Sequence, residues 1–137
     1  MSSSVQNALS LIRNVLMSDS SITDLVLDRI HNTHFYDFDN GTVEYPLIIL
    51  DNRAGSANYS TASQSFQLNL YVYSMMSLDE CFQIYSNVYS ALNATRLHAE
   101  HISASGYLVE TGRPINGFNS ESKSYFVMAQ YQVYTAG

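Results

Sequence analysis

Two segments of the chain alternate in hydrophobicity, and this alternation constrains the fold more than any other feature of the sequence. In Phe66–Tyr73 every second residue is apolar, and Tyr125–Tyr134 alternates in the same way around Val127, Ala129 and Val133. Because successive side chains of a strand point to opposite faces, each segment is predicted to form a strand with one face in the core.

Three shorter strands are predicted beside these two. The apolar run Leu47–Leu50 follows Pro46 and indicates a strand buried on both faces. Ile30–Tyr45 is interpreted as a strand followed by a loop, since it contains the tight-turn signal Asn40-Gly41. Tyr107–Glu110 predicts a further short strand.

The segments between these strands are predicted to be loops, because they are rich in Gly, Ser and Asn. Asp51–Ser65 is either a mobile arm or a hairpin extension. Thr95–Ser105 begins with a loop, and Gly112–Ser124 is another.

Two helices are predicted at the start of the chain. The first carries an apolar stripe at the spacing of one helical face, formed by Val5, Ala8, Leu9, Ile12 and Leu16. Ser4 is predicted to cap this helix, and Met17–Ser20 to end it. A short second helix is predicted with Ser21 as its N-cap and Asp24 near its positive end.

The segment Ser77–Glu80 predicts a third helix, because it forms a capping box. In such a box the Ser77 hydroxyl and the Glu80 carboxylate each accept a hydrogen bond from a backbone amide. Asn93 is predicted to end this helix. Its buried stripe is predicted to consist of Leu78, Phe82, Tyr85, Tyr89 and Leu92.

The order of these elements predicts the fold class. Two helices, three strands, one helix and two strands suit an α+β domain with a mostly antiparallel β-sheet and helices packed against it. No repeat or linker divides the sequence, so residues 1–137 are predicted to form a single domain.

Composition excludes several classes of function. The formal net charge is −6, so the surface as a whole should repel nucleic-acid phosphate. No apolar run approaches the length of a membrane span, and Met1–Gln6 lack the basic start of a secretory signal, so the chain is expected to stay where it is made. A single cysteine, Cys81, excludes an internal disulfide.

No metal, cofactor or catalytic site is predicted. The pairs His31/His34 and His98/His101 have metal-like spacing but lie in different segments, so surface or turn histidines are favoured. Asp37–Gly41 does not fit the register of a calcium loop. Cys81 could be activated by a helix N-terminus, but the sequence offers it no base, and a small apolar core residue is the favoured interpretation.

Binding is the function class that remains. Eleven tyrosines and no tryptophan favour either an interface or a tyrosine-rich rim of the core, and the sequence does not decide between them. The predicted loops Asp51–Ser65 and Gly112–Ser124 are candidates for partner contacts. The predicted binding residues are Arg53, Tyr59, Tyr71, Tyr73, Arg113 and Tyr131.

The element order and several segments resemble the tail-completion, or tail-terminator, proteins of long-tailed bacteriophages. The matching segments are Ala8–Leu16, Ile22–Val26 with Arg29-Ile30, Tyr45–Leu50, Phe66–Tyr73, Ser77–Asn93 and Tyr125–Tyr134. The resemblance covers nearly the whole chain and rests on patterns of residue type.

The resemblance implies a structural virion protein and no enzyme. Such proteins form a ring, expected to have six subunits, on the head-proximal end of the tail tube, where the ring stops polymerisation and meets the neck. The implied partners are other copies of the chain, the tail-tube protein and a neck or head-completion protein. DNA would pass through the lumen without specific binding. The implied location is the virion, after assembly in the host cytoplasm.

Two rival classes stay open at this point. A head-completion or neck connector would share the ring but dock on the portal side. A metal-dependent module is the other rival, and it rests on the paired histidines and Cys81.

Overall fold

The computed structural model describes residues 4–31, 44–58, 63–93, 96–98, 105–120 and 123–136, and it confirms the α+β class. The helices are α1 (Ser4–Met17), α2 (Ser20–Val26) and α3 (Leu78–Leu92). The strands are β1 (Ile30–His31), β2 (Leu47–Asn58), β3 (Ser63–Ser74), β4 (Arg96–His98), β5 (Ser105–Glu110), β6 (Ile115–Asn119) and β7 (Ser124–Ala136).

The seven strands form one sheet. Six of them follow the order β1-β2-β3-β7-β5-β4, and β6 pairs with β7 outside this order. Only the β1–β2 pair is parallel. Strand β7 pairs with β3 along its whole length. On its other side it pairs with β6 through its first half and with β5 through its second half. The β1 edge and the β6 edge therefore lie on opposite sides of the sheet, about 19 Å apart at the usual strand spacing.

The main core lies between the helices and one face of the sheet. Its strand residues are those that the alternation predicts, including Phe66, Leu68, Leu70 and Val72 on β3. Leu47 and Ile49, with Tyr73, form a second buried cluster on the opposite face. The prediction that Leu47–Leu50 is buried on both faces is thus confirmed.

Three predicted loops contain strands instead. Asp51–Ser65 is the hairpin extension that the sequence left open, because β2 and β3 stay paired as far as Asn58 and Ser63. Gly112–Ser124 contains β6, and Thr95–Ser105 contains β4. These polar stretches are strands because a neighbouring strand pairs with their backbone, which residue type alone does not reveal. The Asn40-Gly41 turn lies outside the described residues.

Two helix starts differ from the predictions. Ser4 is the first residue of α1 instead of its cap. Asp19 caps α2 in place of Ser21, because its Oδ1 accepts hydrogen bonds from the Ser21 amide at 3.0 Å and from the Ser21 hydroxyl at 2.6 Å. A carboxylate at this position also faces the positive end of the helix dipole.

The capping box of α3 is confirmed in one half. The Ser77 hydroxyl accepts from the Glu80 amide at 3.1 Å. The Glu80 carboxylate instead accepts from the Ser74 hydroxyl at 2.6 Å, and Ser74 in turn accepts from the Ser77 and Met76 amides. The Ser74 hydroxyl therefore bridges the Ser77 backbone amide and the Glu80 carboxylate.

The predicted stripe of α3 is confirmed at Leu92 and wrong at Phe82 and Tyr89, while Leu78 and Tyr85 are partly buried against the core. The residues that face the core are Cys81, Ile84, Val88 and Leu92, whereas Phe82 and Tyr89 are exposed. The actual stripe lies one position before the aromatic one, so about 100° around the helix.

Arg29 joins two segments that carry the resemblance. Its Nε donates to the Pro46 carbonyl at 2.8 Å, and its Nη2 donates to the Tyr45 carbonyl at 3.4 Å. Ile30 pairs with Ile48 beside it. These residues hold β1 against β2, so their role in the described structure is to stabilise the fold.

Candidate interaction surfaces

The predicted binding tyrosines on the strands are mainly core residues. Tyr131 is fully buried on the helix-facing side of β7, and its hydroxyl has no hydrogen-bond partner among the described residues. Tyr73 is only 3% exposed on the opposite face. Burial raises the pKa of both hydroxyls, so both side chains stay neutral. In the isolated chain a partner has no access to either ring.

Tyr71 is the most accessible of the three. It is half-buried and stacks on Tyr73, with ring centroids 5.9 Å apart and planes 11° from parallel. Phe126 lies on the other side of Tyr73, with its centroid at 6.3 Å. Tyr71 and Tyr73 follow each other along β3, and Phe126 continues the row onto β7, where it lies opposite Tyr73.

Arg113 is exposed in the connection between β5 and β6. Arg53 lies in β2 where the register with β3 shifts between Asn52 and Gly55, but its side chain is outside the described part of the structure, and so is Tyr59. Of the predicted side chains that the structure describes, Tyr71 and Tyr73 lie together, whereas Tyr131 is on the opposite face of the sheet and Arg113 lies beyond β7.

A row of aromatic side chains covers the outer face of α3. Phe82, Tyr85 and Tyr89 have successive ring centroids 6.5 and 6.2 Å apart. The Tyr85 hydroxyl donates to both carboxylate oxygens of Glu110, at 2.8 and 2.9 Å. Asn93 donates to the Tyr89 hydroxyl at 3.1 Å. These rings were predicted as core, and their aromatic type gave no sign that they face outward.

Strand β6 carries two exposed apolar side chains, and a basic residue lies before it and after it. Because successive side chains of a strand alternate, Phe118 lies on the face of Tyr125 and Val127, and Ile115 lies on the opposite face. Ile115 is 54% exposed and Phe118 is 56% exposed, while Arg113 precedes the strand and Lys123 follows it in the turn to β7. Phe118 is held edge-on against Tyr125, with ring centroids 5.3 Å apart. We call Arg113, Ile115, Phe118 and Lys123 the edge patch. Its basic residues form no ion pair with any other described residue.

The turn between α2 and β1 presents an apolar residue among acidic ones. Leu27 is 58% exposed and adopts φ 56° and ψ −124°, a left-handed conformation that L-residues rarely take. Asp24 and Asp28 are exposed beside it, and neither forms an ion pair with a described residue. We call Asp24, Leu27 and Asp28 the corner patch. Sequence patterns gave no sign of this turn.

Cys81 and the histidines give no support to an enzyme. Cys81 is buried and donates to the Tyr125 carbonyl at 3.4 Å. Burial, with the nearby charge of Glu80, raises the pKa of its thiol to about 11, opposite to what a nucleophile requires. Among the described residues no three His, Cys, Asp or Glu side chains cluster as metal ligands would. His34, His101 and Asp37–Gly41 lie outside those residues.

Comparison with known proteins finds a relationship in structure and none in sequence. No protein-family profile and no curated protein matches the chain. A chain from the solved virion of a native gene transfer agent particle superposes with a TM-score of 0.75 over 94% of both chains, at 12% identity. This likeness establishes a shared fold along nearly the whole chain. In the described residues no helix is long and apolar enough to span a membrane.

Proposed function

We propose that the chain is a structural protein of a phage-like virion that forms a homohexameric ring on the head-proximal end of the tail tube. The ring terminates tube polymerisation and joins the tail to the neck. The work of such a protein is association, so it needs no catalytic residue, metal or cofactor. It acts in the virion after assembling in the host cytoplasm.

The observation that carries this proposal is the shared fold with a chain of a gene transfer agent virion. The superposition leaves no large part of either chain unmatched, which favours a similar place in a similar particle. The tail-terminator role is supported in addition by the resemblance in sequence pattern, which spans the same elements. A shared fold by itself does not fix function, so the proposal needs a direct test.

The surfaces of the chain are consistent with association. Apolar side chains remain exposed on α3, on the edge patch and on the corner patch, and association buries surface of this kind. The net charge of −6 suits a ring around DNA, because carboxylates in the lumen repel the passing phosphates. Among the predicted binding side chains that the structure describes, Tyr71 and Arg113 are accessible to a partner.

Negative-stain microscopy of the full chain tests the proposal. The protein is imaged alone at high concentration and then mixed with its cognate tail-tube subunits. We expect rings alone, and tubes of limited length capped at one end in the mixture. Tubes that grow to the same length with and without the protein would refute the terminator role.

The same preparation separates the terminator from a neck connector. A connector would bind the purified portal complex and leave tube length unchanged, whereas a terminator binds the tube end first. Portal binding without tube binding would therefore replace the proposed role by the connector role.

A further inference from the structure

The corner patch and the edge patch lie on opposite sides of the molecule. Leu27 and Asp28 lie in the turn from α2 to β1, with Arg29, which binds the Pro46 carbonyl, between them and the strand; the edge patch flanks β6 on the far side of β7. Strands β2, β3 and β7 separate them. A ring of identical subunits needs two different surfaces of this kind, because each head-to-tail contact joins one side of a subunit to the other side of its neighbour.

The two patches are opposite in charge. The corner patch carries two carboxylates around Leu27, and the edge patch carries a guanidinium and an ammonium around Ile115 and Phe118. Two copies of a chain with net charge −6 repel each other, so a self-contact needs local cations at the interface. Of the six basic residues, Arg13 and Arg29 already bind backbone carbonyls within the fold, whereas the two in the edge patch bind none in the part of the chain that the structure describes.

The conformation of Leu27 is a second, independent observation. Its φ of 56° belongs to a position that glycine fills at no steric cost, yet the residue is a leucine with more than half of its surface exposed. Neither the turn nor the core of the monomer requires a large apolar side chain there. A contact with another molecule would bury this exposed side chain.

We propose that the corner patch of one copy of this chain binds the edge patch of the next copy and that this contact closes the ring. Leu27 packs against Phe118, which lies on the helix-facing side of β6, while Asp24 and Asp28 face the basic residues Arg113 and Lys123. The apolar residues supply most of the affinity, and the charges set the orientation. This inference rests on the proposed function and names the surfaces that self-association uses.

Charge exchange tests the contact. The corner variant is Asp24→Lys with Asp28→Lys, and the edge variant is Arg113→Glu with Lys123→Glu. Each variant places like charges across the contact, so sedimentation velocity of the full chain should show association weakened by about tenfold or more. A chain that carries all four substitutions has the wild-type net charge and restores opposite charges across the contact, so it should associate like wild type.

Mixing the two variants gives a sharper result. In an equimolar mixture each corner patch can meet an edge patch of opposite charge on the other variant, so rings with alternating subunits should form although neither variant forms rings alone. Asp79→Lys is the matched control for added positive charge, since Asp79 is exposed on α3 outside both patches. It should associate like wild type. Melting curves establish that every variant is folded.

The outcomes separate this inference from the proposed function. Folded variants that associate like wild type, or variants that neither the four-fold exchange nor mixing restores, overturn the inference. Loss of tube binding with self-association unchanged also overturns it, since the patches would then bind the tube. If wild-type rings form and depend on both patches but never cap tubes, the inference stands and the terminator function fails. A wild type that stays monomeric alone and with tubes overturns both.

Discussion

Replacing Leu27 by glycine and by alanine separates the cost of its backbone conformation from the contact made by its side chain. The Leu27 amide donates to the Thr23 carbonyl at 2.9 Å and ends α2, and the Arg29 amide donates to the Val26 carbonyl at 3.0 Å. With φ 56° and ψ −124°, Leu27 is the first central residue of a type II′ turn, a position dominated by glycine.

The two substitutions should differ in the free energy of unfolding, because glycine relieves the unfavourable backbone conformation and alanine does not. Alanine keeps the unfavourable left-handed conformation, which costs an L-residue about 1–2 kcal/mol. Glycine removes that cost but gives back about 0.5–1 kcal/mol through the greater freedom of the unfolded chain. Both substitutions remove the same exposed side chain. Leu27→Gly should therefore be more stable than Leu27→Ala by about 1 kcal/mol, or about 4 °C in Tm for a chain of this size.

Association, unlike stability, should be affected equally by the two substitutions. Both variants lose the apolar contact of the corner patch, so both should associate about tenfold more weakly than wild type in sedimentation velocity. Urea unfolding gives the stability difference. If alanine proves as stable as glycine, the backbone argument fails. If either variant associates like wild type, Leu27 is not part of the subunit contact.

The other expectations concern stability and can be checked by urea and thermal unfolding. Ser77→Ala should lower the free energy of unfolding by about 1 kcal/mol because it removes the cap of α3, whereas the control Ser90→Ala on the exposed face of α3 should not. Tyr131→Phe should raise it by about 1 kcal/mol because it removes a buried hydroxyl without a partner, whereas Tyr85→Phe should lower it by about as much because that hydroxyl donates to a carboxylate. The pKa of His31 is lowered, first by burial and then by nearby positive charge, so the unfolded chain binds its proton more readily than the folded chain. Stability should fall as pH drops from about 7 to 5, and His31→Gln should make that fall shallower; an equal fall in the variant would contradict the assignment.

The sequence predicted the elements whose pattern comes from their own residues. The alternation of Phe66–Tyr73 and the uniform apolar run Leu47–Leu50 reflect which faces are buried, so they identified β3 and the buried start of β2. The polar strand β6 was missed because pairing with β7, and nothing in its own residues, makes it a strand. The interaction surfaces could not be predicted for the same reason, since residue type does not reveal which polar turn lies at which edge of the sheet.

Helix α3 carries exposed aromatic residues that helical periodicity assigned to the core. The helix contains two apolar stripes about 100° apart, one of small and β-branched residues ending at Val88 and one of aromatic residues ending at Tyr89. Periodicity predicts that a stripe is buried but cannot choose between two, and in this fold Cys81, Ile84 and Val88 face the core. The rings of Phe82 and Tyr89 are therefore apolar surface that the fold leaves exposed. Tyr85 contributes to the stability of the isolated chain, because it packs against the core and donates to Glu110, whereas the two exposed rings are available for a contact with another molecule.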